Sequence, residues 1–395
     1  MTRTGPLPAG PAAGTAAVLR AVRDGRPRTR AELAAETGLA RSTVAERVEA
    51  LLESGLVRRA DNGRSTGGRP PSMYAFNPAA RTVLAVDVGA RHLRIAVTDL
   101  VGEVLTEGYR AQDVTDGPRA VLERVCELAA SLLAASGRGT ADLLGIGIGL
   151  PGPVEHASGR PTNPPIMPGW DGFDVPGFVR DRLGAVTLVD NDVNAMALGE
   201  HRTHWPHRPD LIFVKAATGI GSGLISGGAL HRGSQGVAGD MGHVRLQNGA
   251  DAACRCGNVG CLEAVAGGAA IAARLTADGI TADTSADVAA LARAGSLPAV
   301  ALVRGAGRAI GEVLATAVSF FNPSVIVIGG GLSQAGEHLI AGVREVVYQR
   351  SLPLATRELD IVQSLAGDRA AVRGAAFMVI ERALAPDHLP ELLAC

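Results

Sequence analysis

Hydrophobic positions along this chain change period at residue 81. Between residues 15 and 60 they recur at helical spacing, interrupted by turn signals. Ala16–Arg23 predicts a first helix ending at Asp24-Gly25. Arg28–Glu36 predicts a second, capped by Thr29 with Leu33 turned inward. Thr37-Gly38-Leu39 makes a tight turn, and Ala40–Ser54 predicts a third helix with Val44, Val48, Leu51 and Leu52 on one stripe. Leu56–Arg59 and Ser72–Phe76 alternate like two strands, and the polar stretch between them reads as a wing. From Arg81 onward, short buried strands leave on glycine: Val83–Gly89, Leu93–Asp99, Leu144–Leu150, Val186–Asp190, the pair within 211–226, and Val325–Gly329. Ala120–Ala135 is an amphipathic helix among them.

Two short helices around a glycine turn, followed by two strands, predict a winged helix-turn-helix. Strand, glycine turn and strand or helix, used twice, predicts two α/β lobes around a cleft. The expected organisation is a flexible tail over 1–14, the winged module over 15–78, and a body over 79–395. Within the body, a first lobe covers about 79–195 plus the C-terminal helix, and a second covers about 196–370.

Charge separates the module from the body. Residues 15–76 hold eleven arginines against seven acids, inside a chain of formal net charge −1. The third helix turns Arg41, Ser42, Thr43, Glu46 and Arg47 away from its apolar stripe, where a recognition helix meets base edges. Arg64 and Arg69 lie on the glycine-rich wing and suit phosphate contact or a narrow minor groove. A helical bundle that binds another protein is the alternative. Lys215 is the only lysine among 38 basic residues, an arginine bias read as carrying no functional weight.

Three of the five cysteines cluster with one histidine: His243, Cys254, Cys256 and Cys261. One imidazole and three thiolates complete a tetrahedral ligand set for a single structural Zn²⁺, leaving no position for water. Buried free cysteines beside an unrelated histidine are the alternative. Asp240 and Glu263 flank the knuckle and suggest that the metal steadies a polyol site. Cys126 and Cys395 are too scattered for a disulfide framework. No secretory leader and no apolar stretch of about 18 residues is evident, which points to a cytoplasmic protein without a membrane partner.

Gly149-Leu-Pro-Gly-Pro153, Asn163-Pro-Pro, Asp190-Asn-Asp192, Thr218-Gly-Ile-Gly-Ser-Gly223 and the knuckle stand in an order that resembles the ROK family of repressors, open reading frames and sugar kinases. The resemblance spans essentially the whole chain and implies an actin-like ATPase fold behind the winged module. It implies sugar contacts at Asn163, Asn191, Asp192, Asp240, His243 and Glu263, with Asp192 at the position of the kinases' general base. Taken alone, Asp192 would also read as a helix N-cap. The position of Asp240 is usually Glu in the family.

The phosphate end departs from that pattern. Family kinases carry Asp-x-Gly-Gly-Thr-Lys, whereas this chain has Asp87-Val-Gly89-Ala90-Arg91-His92. The resemblance therefore implies a sugar-responsive repressor of carbohydrate uptake or catabolism genes, nucleoid-associated, without catalysis or an ATP requirement. Its partners would be double-stranded operator DNA, a sugar or sugar-derivative effector, and further copies of itself in a homodimer or homotetramer. An active ATP-dependent sugar kinase fused to a DNA-binding domain and a pure interaction scaffold are the alternatives.

Overall fold

A computed structural model describes residues 10–60, 71–247, 249 and 252–394. The module comprises the helices Pro11–Val22, Arg30–Thr37 and Arg41–Glu53 and a three-stranded antiparallel sheet with Met73–Phe76 between Arg28–Thr29 and Val57–Ala60. The first helix starts inside the stretch read as a tail, because Pro11 and the alanines after it favour a helical first turn. Arg28 is strand rather than helix and pairs with Tyr74. The helix begins after Thr29, where Thr29 and Glu32 form a capping box: Glu32 N donates to Thr29 Oγ1 (3.2 Å), and Thr29 N to Glu32 Oε2 (2.7 Å). Gly38, with φ 71°, closes that helix as the turn pattern requires. Arg64 and Arg69 lie outside the described residues.

Two five-stranded sheets build the body. The first runs Thr187–Asn191, Leu143–Leu150, Thr82–Val88, His92–Thr98, Val104–Ala111. The second runs Asp360–Gln363, Val325–Gly329, Leu211–Ala216, Ile220–Ser226, Ala229–His231. In each, the first strand in the chain sits centrally, antiparallel to the second and parallel to the fourth. The lobes therefore repeat one plan, with apolar strand runs because both faces are covered.

Between the sheets, the helix Asp192–His204 crosses the helix Ala370–Ala383 at nearly bare backbone. A β-carbon on Gly374 would lie 1.7 Å from the Ala195 carbonyl oxygen, and one on Gly199 2.0 Å from that of Ala370. Gly147 of the first sheet meets Ala375 of the same helix equally closely. Buried Glu200 then ties the crossing to the second lobe. Its carboxylate accepts from Ser364 Oγ (2.7 Å), the Leu365 and Ala366 N–H groups (2.9 and 3.0 Å) and Trp205 Nε1 (3.2 Å).

The winged module has no separate core. Leu19, Leu51, Leu56 and Phe76 share one apolar cluster with Val83, Ala96 and Leu100 of the first lobe and with Phe377 and Leu389. The connector is pinned at each step. Asn77 N and Nδ2 donate to the Leu56 and Gly55 carbonyls (both 2.9 Å), and the Pro78 carbonyl accepts from Leu100 N (3.0 Å). At the far end of the helix Asp192–His204, Arg202 donates to Glu381. Arg23 of the first module helix lies in the field of both; burial draws its pKa below the ordinary value, and Glu381 pulls the other way. Among the described residues no single helix is long and apolar enough to cross a membrane.

Because the crossing leaves room only for hydrogen, Gly374→Ala should destabilise the protein by about 3 kcal/mol through backbone displacement. A clear fall in Tm by calorimetry, larger than for Ala383→Gly at the far end of the same helix, is the expected result.

Candidate functional site

Strand Thr187–Asn191 ends in consecutive polar residues at the head of the helix Asp192–His204. Asn191 is the N-cap: its Oδ1 accepts from Val193 N (2.9 Å) and Asn194 N (3.4 Å), and its Nδ2 donates to the Gly152 carbonyl (2.9 Å). Capping thus falls to Asn191, which frees Asp192 from that role and leaves one amide hydrogen of Asn191 for a ligand. Asp190, 1 % exposed, accepts from Arg232 Nε (2.6 Å) and Asn194 Nδ2 (2.8 Å), with His156 Nδ1 3.6 Å away. This carboxylate pins a second-lobe loop to the first lobe, a job not foreseen from the sequence.

Asn163 and Asp240 are both exposed. Asn163 is exposed at φ 43°, a left-handed conformation that asparagine tolerates, and its backbone N donates to Asp171 Oδ1 (2.7 Å). Its neighbour Pro164 packs beneath Gly152, the residue that Asn191 holds. Asp240 is exposed at the end of a loop anchored where the Gly239 carbonyl accepts from Ser222 N (3.2 Å) and Oγ (2.6 Å).

Asp192 itself is buried and ion-paired with Lys215, on the strand Leu211–Ala216. Burial opposes the Lys215 ammonium, but Asp192, joined by Asp87 and Glu263, more than offsets it and holds the Lys215 pKa above its ordinary value. Burial pushes the Asp192 carboxyl up, and the same ammonium pulls it back. Sequence reasoning set Lys215 aside, yet the fold makes it the ion-pair partner of buried Asp192. The available signal was its rarity, as the one lysine in a chain that otherwise uses arginine.

Lys215 also lines a cavity of about 230 Å³ with Asp87, His92, Gly330 and Ser333. His92 Nε2 lies 3.2 Å from Asp87 Oδ2, and its ring stacks on Tyr109 with centroids 5.8 Å apart. The imidazole covers Gly89 so closely that a β-carbon there would fall 2.1 Å from it. The backbone face by which a glycine loop approaches a phosphate is therefore occupied by a side chain of the same loop.

On the second lobe, Glu263 Oε2 accepts from Ile220 N (3.1 Å) and packs on Gly219, while Glu263 N donates to the Gly242 carbonyl (2.9 Å). Through its side chain and its backbone N–H, Glu263 thus joins the glycine loop after Lys215 to the segment bearing His243. His243, Cys254, Cys256 and Cys261 bring one ligand atom each within 4.8 Å of one another. Cys254 Sγ lies 3.7 Å from His243 Nδ1, and Cys256 Sγ 3.7 Å from Cys261 Sγ. A metal–sulfur bond of about 2.3 Å sets tetrahedral sulfurs about 3.8 Å apart, whereas a disulfide needs about 2.0 Å. These two distances are those of a tetrahedron's edge, and the four residues can hold a metal ion.

In the module, Arg41 and Ser42 are exposed and Thr43 is half-buried at the start of the helix Arg41–Glu53. Arg47 is less free than its place on the helix suggested. Its Nε lies beside Gly14, next to which the Leu39 side chain also sits, and its guanidinium reaches Glu46 at 3.9 Å.

Comparison with known proteins matches both parts. A model described as ROK family covers residues 83–382, and one described as a helix-turn-helix domain covers residues 15–60. The chain is 30% identical over 389 residues to a putative xylose repressor of Caldicellulosiruptor sp. (strain Rt8B.4), spanning 94% of this chain and 96% of that one. A solved ROK family transcriptional regulator, a homologue of the E. coli Mlc protein, superposes with TM-score 0.83 at 25% identity over 97% of this chain and 98% of its own. A ROK family glucokinase from Streptomyces griseus, solved with glucose and AMPPNP, matches at TM-score 0.65 and 28% identity, covering 75% of this chain and 98% of its own. The regulator extends over module and body together; the glucokinase leaves a quarter of this chain unmatched.

Proposed function

The chain belongs to the ROK family, and on that premise we propose that it is a sugar-responsive, DNA-binding transcriptional repressor whose kinase-like body is the sensor. The observation that carries the reading is the core shared by a helix-turn-helix module and a two-lobed body whose Asp192, from one lobe, is paired with Lys215 of the other. Its targets are genes of carbohydrate uptake or catabolism. Arg41, Ser42, Thr43 and Arg47 face base edges, and Arg64 and Arg69 supply phosphate or minor-groove contacts. Two copies would read a pseudo-palindrome, as a homodimer or within a homotetramer.

Sugar hydroxyls bridge Asn163, Asn191 and Asp192 on one lobe to Asp240, His243 and Glu263 on the other. Carboxylates accept and amides both donate and accept, which suits vicinal hydroxyls. One structural Zn²⁺ at His243, Cys254, Cys256 and Cys261 supplies no chemistry beyond rigidity; it fixes the imidazole and the turn that presents Glu263. A ligand bound across the lobes shifts the protein only by its differential affinity for closed and open forms. The helix Asp192–His204 carries that shift outward, since it starts at Asp192 and its last turn holds Arg202, which pairs with Glu381 of the second interlobe helix beside Arg23 of the module.

The body is read as non-catalytic. Ala90, Arg91 and His92 replace the residues that shape the family kinases' first phosphate loop, and His92 covers Gly89. An active hexokinase is the competing reading, favoured by the retained Asp192 and the Thr218–Gly223 loop. ADP release on a panel of hexoses separates the two, and the repressor reading expects none.

Arg41→Ala should weaken specific operator binding by about 1–3 kcal/mol in fluorescence-anisotropy titrations. Full operator affinity in a chain lacking residues 1–78 would overturn the assignment. Metal analysis of the purified protein should find one zinc per chain, lost in Cys256→Ser together with the sugar response; a sub-stoichiometric result for the wild type contradicts the zinc assignment. Asp192→Asn should bind operator normally but lose the sugar-induced change, which coupling of about 1–3 kcal/mol makes roughly five- to 150-fold in the wild type. Equal sugar sensitivity in both proteins would show that the signal enters elsewhere.

A further inference from the structure

Asp190 is where a loop of the second lobe takes hold of the first. One oxygen of this buried carboxylate accepts from Arg232 Nε (2.6 Å) and has His156 Nδ1 3.6 Å away. The other accepts from Asn191 N and from Asn194 Nδ2, both at 2.8 Å. Arg232 thus reaches, through a single buried side chain, residues on either side of Asp192.

The loop that carries Arg232 touches the first lobe a second time. Gly236, with φ 96°, lies against the hairpin formed by Val154–Glu155 and Arg160–Pro161. A β-carbon on it would fall 2.7 Å from the Val154 carbonyl oxygen and 3.5 Å from His156 N. The loop returns on itself where Ala238 N donates to the Arg232 carbonyl (3.1 Å), and the Gly239 carbonyl anchors it to Ser222 just before Asp240. Val154 follows closely on Gly152, whose carbonyl holds Asn191 Nδ2 (2.9 Å). Two separate contacts, one charged and one between backbones, therefore bring this loop to the supports of Asn191. A carboxylate that needed only a counter-ion would be served by Arg232 alone; the fit at Gly236, where only hydrogen has room, does nothing for that need.

We propose that loop 232–239 is a clasp between the lobes and that Arg232 is a positioning residue for the sugar site. With the clasp shut, Asp190 and the 152–154 segment fix the turn that carries Asn191 and Asp192, while the far end of the same loop fixes Asp240. Closing the lobes and ordering the ligand groups on both of them are then one event, since parting the lobes takes the cation from a buried carboxylate. The proposal deepens the sensor reading and rests on it only in taking Asn191, Asp192 and Asp240 as ligand contacts.

The test is amide hydrogen exchange, followed by mass spectrometry on the full chain in the absence of sugar and DNA. Gly236→Val keeps Arg232 and Asp190 but blocks the approach to Val154. Exchange over 154–161 and 187–194 should rise at least about tenfold, while the strand Leu211–Ala216 and the helix Ala370–Ala383 keep their protection. Gly227→Ala is the control: its φ is 57°, but no atom lies within 4 Å of the added carbon, so it carries backbone strain without the collision. It should exchange over 154–161 and 187–194 like the wild type. Arg232→Met combined with Asp190→Asn leaves no buried charge unpaired and keeps the acceptor for Asn191 N, yet should loosen 187–194 as Gly236→Val does. Arg232→Lys, which retains a cation on a long stem, should restore protection there. Should Gly236→Val fail to fold, Gly236→Ala meets the same Val154 oxygen and serves in its place. The proposal is overturned if Gly236→Val loosens only 232–240, if Gly227→Ala loosens 187–194 equally, or if the Arg232→Met, Asp190→Asn pair leaves 187–194 protected. As no sugar enters the assay, a negative result leaves the sensor reading standing, and a failure of that reading leaves the clasp measurement standing.

Discussion

Backbone touching backbone, where Gly199 and Gly374 bring the two interlobe helices together, is the constraint on which the rest of this structure depends. With no side chain between them, the helices cannot slide without breaking the contact, and close-packed interfaces of this kind move between discrete arrangements rather than deforming smoothly. One of the two begins at Asp192 in the cleft; the other ends near Glu381, beside the winged module. A displacement at one end of either helix is therefore delivered to the other by a rigid rod.

Buried charge is organised around the same crossing. Asp190 is given Arg232, Asp192 is given Lys215, and Glu200 is satisfied by an indole and three groups from one loop. Each carboxylate sits on or just before one helix, and each partner comes from the second lobe or its flanking segments. A buried acid stripped of such a partner is strongly destabilising, so these pairs set which relative positions of the lobes are allowed. They specify geometry more than they add stability.

Much of this was legible in the sequence, and the exceptions have physical reasons. The module's helices and strands were readable because periodicity and glycine turns are local signals, although Pro11 extended the first helix and Arg28 was drawn into a strand by a partner 46 positions away, at Tyr74. The knuckle was readable because Cys254, Cys256 and Cys261 are close in sequence. Lys215 was not, since its meaning arises from Asp87, Asp192 and Glu263, which only the folded chain assembles. Asn191 illustrates the reverse: its residue type suggested a ligand contact, yet its side chain is largely spent on capping a helix and holding Gly152. Arg47 shows the same limit, because the facing of a helix is periodic but its place beside Gly14 is not.

The short helix Leu389–Leu393 packs against the first and third helices of the winged module. Those helices are made before the body during synthesis, while the segment that covers them emerges after nearly everything else the structure describes. Chains fold from the N-terminus as they are made, at about 5–20 residues per second, so the module waits tens of seconds with an apolar flank uncovered. The apolar cluster that the module shares with the body is completed only once the body is made, so the two finish folding as one unit.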